Sequence, residues 1–280
     1  MALGACADTG VLADISYDDR FGDATTMDIH MPAGAATQRP TIMLIHGGAW
    51  RTGDKTAYTD AAEGYAAAGY VAATINYRLA PANPYPAAVK DCLCALSFLR
   101  ANADQYGIDP ARIAVSGYSA GGHLSALIAV ASDAPEHQPD CAWGPTAPPA
   151  AVIPGDGGYD FRSDTGSELF GWIGEFLGGS RDAVPDNYTS ASPIVYVRAS
   201  APPALVIHGL DDVASLDGAR AYAAALRDAG ASVRMLEIEG AGHLSSAVTA
   251  TDGIYLQAAT DTPESRAVTF DFLARTIGAP

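Results

Sequence analysis

The chain has 280 residues, of which 49% are hydrophobic, and its formal net charge at pH 7 is −16. This length and hydrophobic content predict a globular protein with a substantial core and exclude a disordered chain. The negative charge argues against nucleic acid and anionic membrane surfaces as partners, because both would repel it. No apolar run reaches the roughly 18 residues that a membrane span requires.

Short apolar runs alternate with helix-compatible segments along the chain. We predict strands at 10–17 and 25–31 and in the stretches TIMLIHGGAW, YVAATINYRLAP, RIAVSGYS, AAVIPG, PALVIHG and SVRMLEIEG. We predict helices at 56–68, in YPAAVKDCLCALSFLRANADQYG and AGGHLSALIAVAS, at 216–229 and at 263–276. Strands that alternate with helices imply an α/β fold, in which a mostly parallel central sheet is covered by helices on both faces.

Residues 156–200 interrupt this alternation. They are rich in Gly, Asp, Ser and Pro, with helical potential around 168–177. The chain shows neither an internal repeat nor a linker. We therefore predict a single domain over 1–280 with a small cap-like insertion at about 156–200.

The four cysteines are Cys6, Cys92, Cys94 and Cys141. Cys92 and Cys94 are two residues apart in a predicted helix, so they point in different directions and are not expected to bond to each other. Histidines at zinc-ligand spacing are absent, and no metal site is predicted. We predict buried, small hydrophobic side chains. A bridge from Cys141 to Cys92 or Cys94 is the alternative.

The stretch Leu3-Gly4-Ala5-Cys6 resembles a bacterial lipobox, whose cysteine becomes the lipidated first residue of an exported protein. The basic and apolar regions that should come before such a site are missing from the sequence. One interpretation is an exported lipoprotein. The other is chance similarity in an Ala/Gly-rich segment of a cytoplasmic protein.

The stretch Gly117-Tyr118-Ser119-Ala120-Gly121 matches the pattern G-x-S-x-G between a predicted strand and a predicted helix. In that context the central serine of the pattern lies on a sharp turn and acts as a nucleophile. We therefore predict Ser119 as the nucleophile, whereas Ser116 lies on the strand and is structural. A simple glycine-rich turn is the alternative for the pattern alone.

A nucleophilic serine needs a base, and the base needs an acid that fixes its tautomer. In this topology the acid and then the histidine follow the serine along the chain. His243 follows the last predicted strand in a Gly-rich loop and is the predicted base, whereas His123 is expected to pack one helical turn beyond Ser119. Asp211 and Asp212 both follow a predicted strand, and either residue could reach His243.

Acyl transfer also requires donors for the developing oxyanion. The stretch HGGAW offers the amides of Gly47 and Gly48 in a loop after a buried strand. The amide of Ala120, directly after the predicted nucleophile, is the third candidate donor.

The chain resembles the α/β-hydrolase superfamily, and within it the esterases related to hormone-sensitive lipase and to feruloyl and acetyl-xylan esterases. The resemblance is carried by HGGAW, YRLAPANPYPAAVKD, DPARIAVSGYSAGGHLSA, SPIVYV, PPALVIHGLDD and GAGH. In such enzymes the acid is the last residue of HGxxD, which implies Asp212 here. The loop HGGAW departs from the HGGG of the hormone-sensitive lipase group and is closer to the feruloyl-esterase-like and arylformamidase-like branches.

Hormone-sensitive-lipase-like enzymes carry a long N-terminal cap that has no counterpart before His46 in this sequence. We therefore expect an open site with residues 156–200 as its main wall. The candidate pocket aromatics are Trp50, Tyr159, Phe161 and Trp172. Each of these side chains could equally belong to the core.

The expected activity is hydrolysis of short-chain carboxylic esters through a covalent acyl-enzyme, with no metal or organic cofactor. The expected partner is a small-molecule or polysaccharide-linked ester. The alternatives are a feruloyl or acetyl-xylan esterase on plant polysaccharide, an arylformamidase-type amidase, and a non-catalytic hydrolase fold that acts as a binding module.

Overall fold

A computed structural model of the protein describes residues 10–34, 37–163, 170–250, 253–258 and 262–280. The lipobox-like stretch 3–6 lies outside the described residues, as do residues 164–169 of the predicted insertion. Of the helices in the described ranges, none is both long enough and apolar enough to cross a bilayer.

The described residues form strands and α-helices in alternation along most of the chain. The strands are β1 (Gly10–Ser16), β2 (Thr26–Met31), β3 (Arg39–Ile45), β4 (Val71–Ile75), β5 (Ile108–Tyr118), β6 (Ala151–Gly155), β7 (Ala204–Gly209), β8 (Val233–Ile238), β9 (Leu244–Ala250) and β10 (Gly253–Ala258). The helices are α1 (Thr59–Ala67), α2 (Ala87–Ala101), α3 (Ala120–Ala131), α4 (Phe170–Leu177), α5 (Pro185–Ser190), α6 (Leu216–Asp228) and α7 (Pro263–Thr276).

Strands β1 to β8 form one eight-stranded sheet in the order β1-β2-β4-β3-β5-β6-β7-β8. The pairs β1–β2 and β2–β4 are antiparallel, and every other pair in this sheet is parallel. Strands β9 and β10 pair with each other as a separate antiparallel hairpin. The predicted mostly parallel sheet of an α/β-hydrolase fold is confirmed.

The alternation of side chains along β3 shows why helices cover both faces of the sheet. Met43 and Ile45 point into one apolar core with residues of α2, α3 and α6, whereas Ile42 and Leu44 point into the other with residues of α1 and α7. Because successive strand residues face opposite sides, a continuous apolar run such as this one requires cover on each side.

Local sequence fixes where several helices begin. The Ser215 hydroxyl accepts a hydrogen bond from the Gly218 amide (3.0 Å) and caps α6. At the start of α7, Thr262 and Ser265 exchange side-chain and backbone hydrogen bonds in a capping box. The sequence predicted all eight strands of the sheet, but it did not predict the short helix α5 or the hairpin β9–β10.

The described part of the insertion packs onto the loop that follows β3. The Trp50 ring stacks on the Phe176 ring of α4, with centroids 4.7 Å apart, and Glu175 pairs with Arg51 at 3.2 Å. The Phe176 carbonyl also accepts a hydrogen bond from the Tyr85 amide (2.7 Å). The extent of a cap over 156–200 within a single domain stays a prediction.

The cysteine prediction was wrong for two of the three cysteines in the described ranges. Cys94 and Cys141 form a disulfide, with Cα atoms 6.2 Å apart, whereas Cys92 is a buried free thiol. The alternative bridge from Cys141 is therefore the correct one. Cys94 faces the loop that carries Cys141 because that loop is held against α2, where the Ser97 hydroxyl donates to the Gly144 carbonyl (2.8 Å).

Reducing the disulfide should destabilise the protein. The bridge spans 47 residues, and a closed loop of this length stabilises the folded state by up to about 4 kcal/mol through chain entropy. Thermal unfolding with and without dithiothreitol should show a lower Tm on reduction. In the double variant Cys94→Ala/Cys141→Ala the reductant should have no effect, and in Cys92→Ala it should act as in the wild type. An unchanged Tm on full reduction would contradict this prediction.

Two histidines lie in the core next to the ends of β3 and β5. Burial lowers the pKa of His46 to about 4 and the pKa of His123 to about 4, since desolvation disfavours the charged imidazolium. The His123 ring packs in the core as predicted and is fully buried. His137 is also fully buried and bonds to the Tyr85 hydroxyl at 2.7 Å.

The buried histidines should make the protein less stable in mild acid. A histidine in the unfolded chain takes up a proton near pH 6.5, whereas His46 and His123 do so only near pH 4 when folded. The free energy of unfolding should therefore be highest above pH 6.5 and should fall with pH between 6.5 and 4. At pH 5 the loss is about 2 kcal/mol for each histidine.

Urea unfolding at pH 7 and pH 5 measures this loss. The variant His123→Gln keeps an acceptor for its neighbour but cannot take up the proton. It should lose about 2 kcal/mol less than the wild type between the two pH values. If the wild type and His123→Gln lost the same free energy of unfolding between pH 7 and pH 5, the low pKa of folded His123 would be contradicted.

Candidate active site

Ser119 occupies the turn between β5 and α3. Its backbone has φ 57° and ψ −121°, a region that a non-glycine residue adopts at a cost of about 1–3 kcal/mol. Its amide donates to the Gly155 carbonyl at the end of β6 (2.9 Å). The turn therefore presents a partly exposed serine at the carboxyl edge of the sheet.

Glycines make this turn sterically feasible. A Cβ at Gly117 would overlap the Gly121 carbonyl, and a Cβ at Gly121 would overlap the Ile45 carbonyl at the end of β3. The helix α3 thus begins in contact with the neighbouring strand, as G-x-S-x-G requires. Ser116 donates to the Ile153 carbonyl (3.0 Å) within the sheet, in line with its predicted structural role.

Ser119, His243 and Asp212 form one hydrogen-bonded chain. The Ser119 Oγ lies 2.8 Å from His243 Nε2, and His243 Nδ1 lies 2.8 Å and 3.0 Å from the two carboxylate oxygens of Asp212. Because an ionised carboxylate only accepts hydrogen bonds, Nδ1 carries the proton and Nε2 can accept from the serine hydroxyl. This is the tautomer that a general base next to a serine needs.

The structure separates the two candidate acids. Asp212 has a fully buried side chain and also accepts the Ala214 amide (2.5 Å). Asp211 is exposed, and its amide donates to the Ala241 carbonyl (3.0 Å). The choice of Asp212 that the resemblance implied therefore agrees with the geometry.

The predicted oxyanion residues flank Ser119. A Cβ at Gly47 would lie 2.9 Å from the Tyr118 carbonyl and 3.2 Å from the Ser119 Cβ, so this backbone runs directly past the serine. Gly48 follows with φ 108°, which favours glycine. Ala120 is the first residue of α3, where amides have no partner within the helix.

His46 and Tyr77 hold the loop of Gly47 and Gly48 in place through hydrogen bonds to its backbone carbonyls. The His46 Nδ1 donates to the Gly47 carbonyl (2.7 Å), and the Tyr77 hydroxyl donates to the His46 carbonyl (2.9 Å). The two rings stack with centroids 4.2 Å apart. Sequence reasoning missed this support, although both residues lie inside the motifs HGGAW and YRLAPANPYPAAVKD.

Three of the four candidate pocket aromatics are buried. Trp50 donates from Nε1 to His123 Nδ1 (3.1 Å), and its ring edge meets Phe161 at 5.9 Å. Tyr159 stacks on Tyr222 of α6 at 4.7 Å. These three have the packing of core residues, the alternative that the sequence left open. Trp172 on α4 is 42% exposed.

A second buried carboxylate lies beside Asp212. Asp156 follows β6, is 1% exposed, and accepts the Gly209 amide (2.8 Å). The ligand atoms of Asp156, His208 and Asp212 lie within 4.8 Å of one another, which is the spacing of a metal site. The two carboxylates already accept hydrogen bonds from Gly209 and His243, and these bonds account for their placement.

Tyr118 interacts with both this carboxylate and His243. Its ring is 5.2 Å from the His243 ring, and burial followed by the charges of Asp156 and Asp212 raises the pKa of its hydroxyl. Sequence reasoning missed both Asp156 and Tyr118. The available signal was an aspartate within Gly155-Asp156-Gly157-Gly158, directly after a predicted strand.

Comparison with known proteins finds similar chains that are named esterases. The esterase LipC of Mycobacterium tuberculosis is 37% identical over 217 residues, covering 73% of this chain and 52% of LipC. A truncated form of a carbohydrate esterase from gut microbiota superposes with a TM-score of 0.80 at 22% identity over 97% of each chain. A thermophilic esterase from the planctomycete Thermogutta terrifontis gives a TM-score of 0.72 at 24% identity, covering 95% of this chain and 92% of its own.

The chain spans about half the length of the curated relatives it matches. The two solved structures share its α/β-hydrolase fold. The family model described as BD-FAE matches residues 27–216, which include the predicted oxyanion residues, the serine turn and Asp212. By this match the chain belongs to the BD-FAE family.

Proposed function

We propose that the protein is a serine carboxylic ester hydrolase. The observation that carries the proposal is the hydrogen-bonded chain Ser119–His243–Asp212, with the Gly47 backbone directly beside the serine. A serine, a correctly oriented imidazole and adjacent backbone donors are the components that acyl transfer requires. Relatives at 35–37% identity are named esterases or a probable carboxylic ester hydrolase, which supports the same activity.

In the proposed reaction His243 Nε2 takes the Ser119 proton as Oγ attacks the ester carbonyl carbon. The amides of Gly47, Gly48 and Ala120 stabilise the oxyanion, and the imidazolium then protonates the departing alcohol. Water, deprotonated by the same nitrogen, attacks the acyl-enzyme and releases the acid. Asp212 stays ionised throughout and holds the imidazole in place.

We propose a short acyl group on a small-molecule or polysaccharide-linked ester. Bulky rings fill the interior next to the oxyanion loop, where Trp50 stacks on Phe176 and meets Phe161 edge-on. The exposed Trp172 on α4 offers a ring to the solvent side of the insertion. The gut protein that shares this fold is named a carbohydrate esterase, which agrees with a sugar-linked substrate.

Substituting the proposed residues should separate their roles. Ser119→Ala should lower kcat on p-nitrophenyl acetate by about 10⁵-fold or more, because the nucleophile is lost. Asp212→Asn should lower kcat by about 10³–10⁴-fold through the wrong imidazole tautomer. The matched control Asp211→Asn should stay within about twofold of wild type, because its side chain is exposed.

A panel of p-nitrophenyl esters of increasing chain length, with methyl ferulate and N-formylkynurenine, identifies the acyl group. Highest kcat/KM on acetyl or propionyl esters is the expected result. A preference for methyl ferulate would indicate a feruloyl esterase instead, and a preference for N-formylkynurenine would indicate an arylformamidase. If the wild type and Ser119→Ala both hydrolysed none of these compounds, the remaining interpretation would be a non-catalytic hydrolase fold that acts as a binding module.

Closing the space beside the serine should impair chemistry more than binding. In Gly47→Ala the new methyl group would press on the Tyr118 carbonyl and on Ser119, shifting the oxyanion donor. Loss of one such donor lowers kcat by about 10²–10³-fold. Steady-state kinetics should show this fall with KM changed much less. A Gly47→Ala variant with wild-type kcat would contradict the placement of the oxyanion site.

A further inference from the structure

Asp156 is an unusual residue for its position. It lies in the glycine-rich stretch Gly155-Asp156-Gly157-Gly158 at the end of β6, with φ 45°, where glycine would be free of strain. Its side chain is fully buried. Burying a carboxylate costs several kcal/mol unless donors compensate, so its neighbours indicate what the charge is used for.

The carboxylate is hydrogen-bonded to the turn that carries Asp212. Its Oδ1 accepts the Gly209 amide (2.8 Å), and its own amide donates to the Ile207 carbonyl (3.0 Å). Gly209 ends β7, and its carbonyl in turn accepts the Asp212 amide at 3.4 Å. Asp156 therefore braces the end of β7, from which the turn to Asp212 begins.

The carboxylate also faces the titratable groups around the histidine. From β7, His208 Nδ1 lies 3.5 Å from Oδ1, and His208 is paired in register with Glu237 of β8. From β5, the Tyr118 hydroxyl interacts electrostatically with Asp156, while its ring packs against His243. Asp156 therefore lies beside Asp212: both side chains have no exposure, and their carboxylate ligand atoms lie within 4.8 Å of each other.

We propose that Asp156 is a positioning residue for the Asp212–His243 pair. It holds the Asp212 turn through Gly209, and its charge stabilises the imidazolium that forms during acyl transfer only while Asp212 holds that ring in place. The Gly209 donor favours the ionised carboxylate. This inference rests on the proposed ester hydrolysis.

The variant Asp156→Asn separates the charge from the brace. The amide oxygen can still accept from Gly209, and asparagine tolerates the positive φ. We expect kcat on p-nitrophenyl acetate to fall roughly 10-fold or more with KM within about twofold. Loss of a negative charge near the imidazolium should also move the acid limb of kcat/KM to lower pH, by about half a unit or more.

A double-variant cycle tests whether Asp156 acts through Asp212. In the Asp212→Asn background, where the imidazole is no longer held, Asp156→Asn should lower kcat by less than about twofold further. The matched control is Asp160→Asn, which removes the same charge from a carboxylate paired with Arg162 on the surface side of the same segment. It should leave kcat and the pH profile unchanged.

The rate of Ser119 phosphonylation by a p-nitrophenyl phosphonate ester gives a readout that needs no substrate turnover. If the wild type is labelled but hydrolyses no ester, the proposed function fails, while the labelling rate of Asp156→Asn still tests this inference. A tenfold slower rate supports it. The inference would be overturned if Asp156→Asn had the wild-type labelling rate and pH profile. It would also be overturned if Asp156→Asn lowered kcat by the same factor in the Asp212→Asn background as in the wild type.

Thermal unfolding of Asp156→Asn shows whether the variant is folded. If it is not, Asp156→Gly is measured in the same way, because glycine accepts φ 45° without strain. Failure of both variants to fold would make Asp156 a folding residue and would also overturn the proposal.

Discussion

The contact between the start of α3 and the carboxyl ends of β3 and β6 is the constraint on which the site depends. At Gly121 a side chain would collide with the Ile45 carbonyl, and at Gly122 it would collide with the Gly155 carbonyl. Only a helix that begins with these glycines can lie this close to both strands. The single residue left to turn the chain from β5 into α3 is Ser119, whose positive φ follows from that demand.

The same close packing determines the electrostatics. With the strand ends held together, the side chains of Asp156 after β6 and of Asp212 after β7 lose contact with water. Each buried carboxylate is compensated by specific donors, the Gly209 amide for one and the Ala214 amide with His243 for the other. A buried charge that lost its donors would destabilise the fold strongly. The hydrogen bonds that orient the imidazole therefore also keep the sheet edge folded.

Much of this arrangement could be predicted from the sequence, because its signals are local. Glycines at fixed offsets around Ser119 and apolar runs for the strands report backbone geometry directly. The choice between Asp211 and Asp212 could not be made locally, since both follow the same strand and only tertiary packing buries one of them. It required the resemblance to known esterases.

Features that depend on packing between distant segments were beyond sequence reasoning. Trp50 and Phe161 carry no local mark that distinguishes a pocket wall from a core side chain, and α4 decides the matter by covering Trp50. The partner of Cys141 depended on how a loop lies against α2. Asp156 looked like part of a polar turn, because its burial arises from β7 passing beside it.

The oxyanion loop and the insertion are best understood as one packed unit. Two successive non-glycine residues of the loop, Ala49 and Trp50, have positive φ, at 53° and 58°. Such strain persists only where surrounding contacts outweigh it. The compensating contacts come from Phe176 on the insertion and from His123 on α3, which bind the Trp50 ring and its N–H. The insertion thus stabilises the conformation that brings Gly47 to Ser119, so variation in its sequence would shift the backbone on which the proposed oxyanion stabilisation depends.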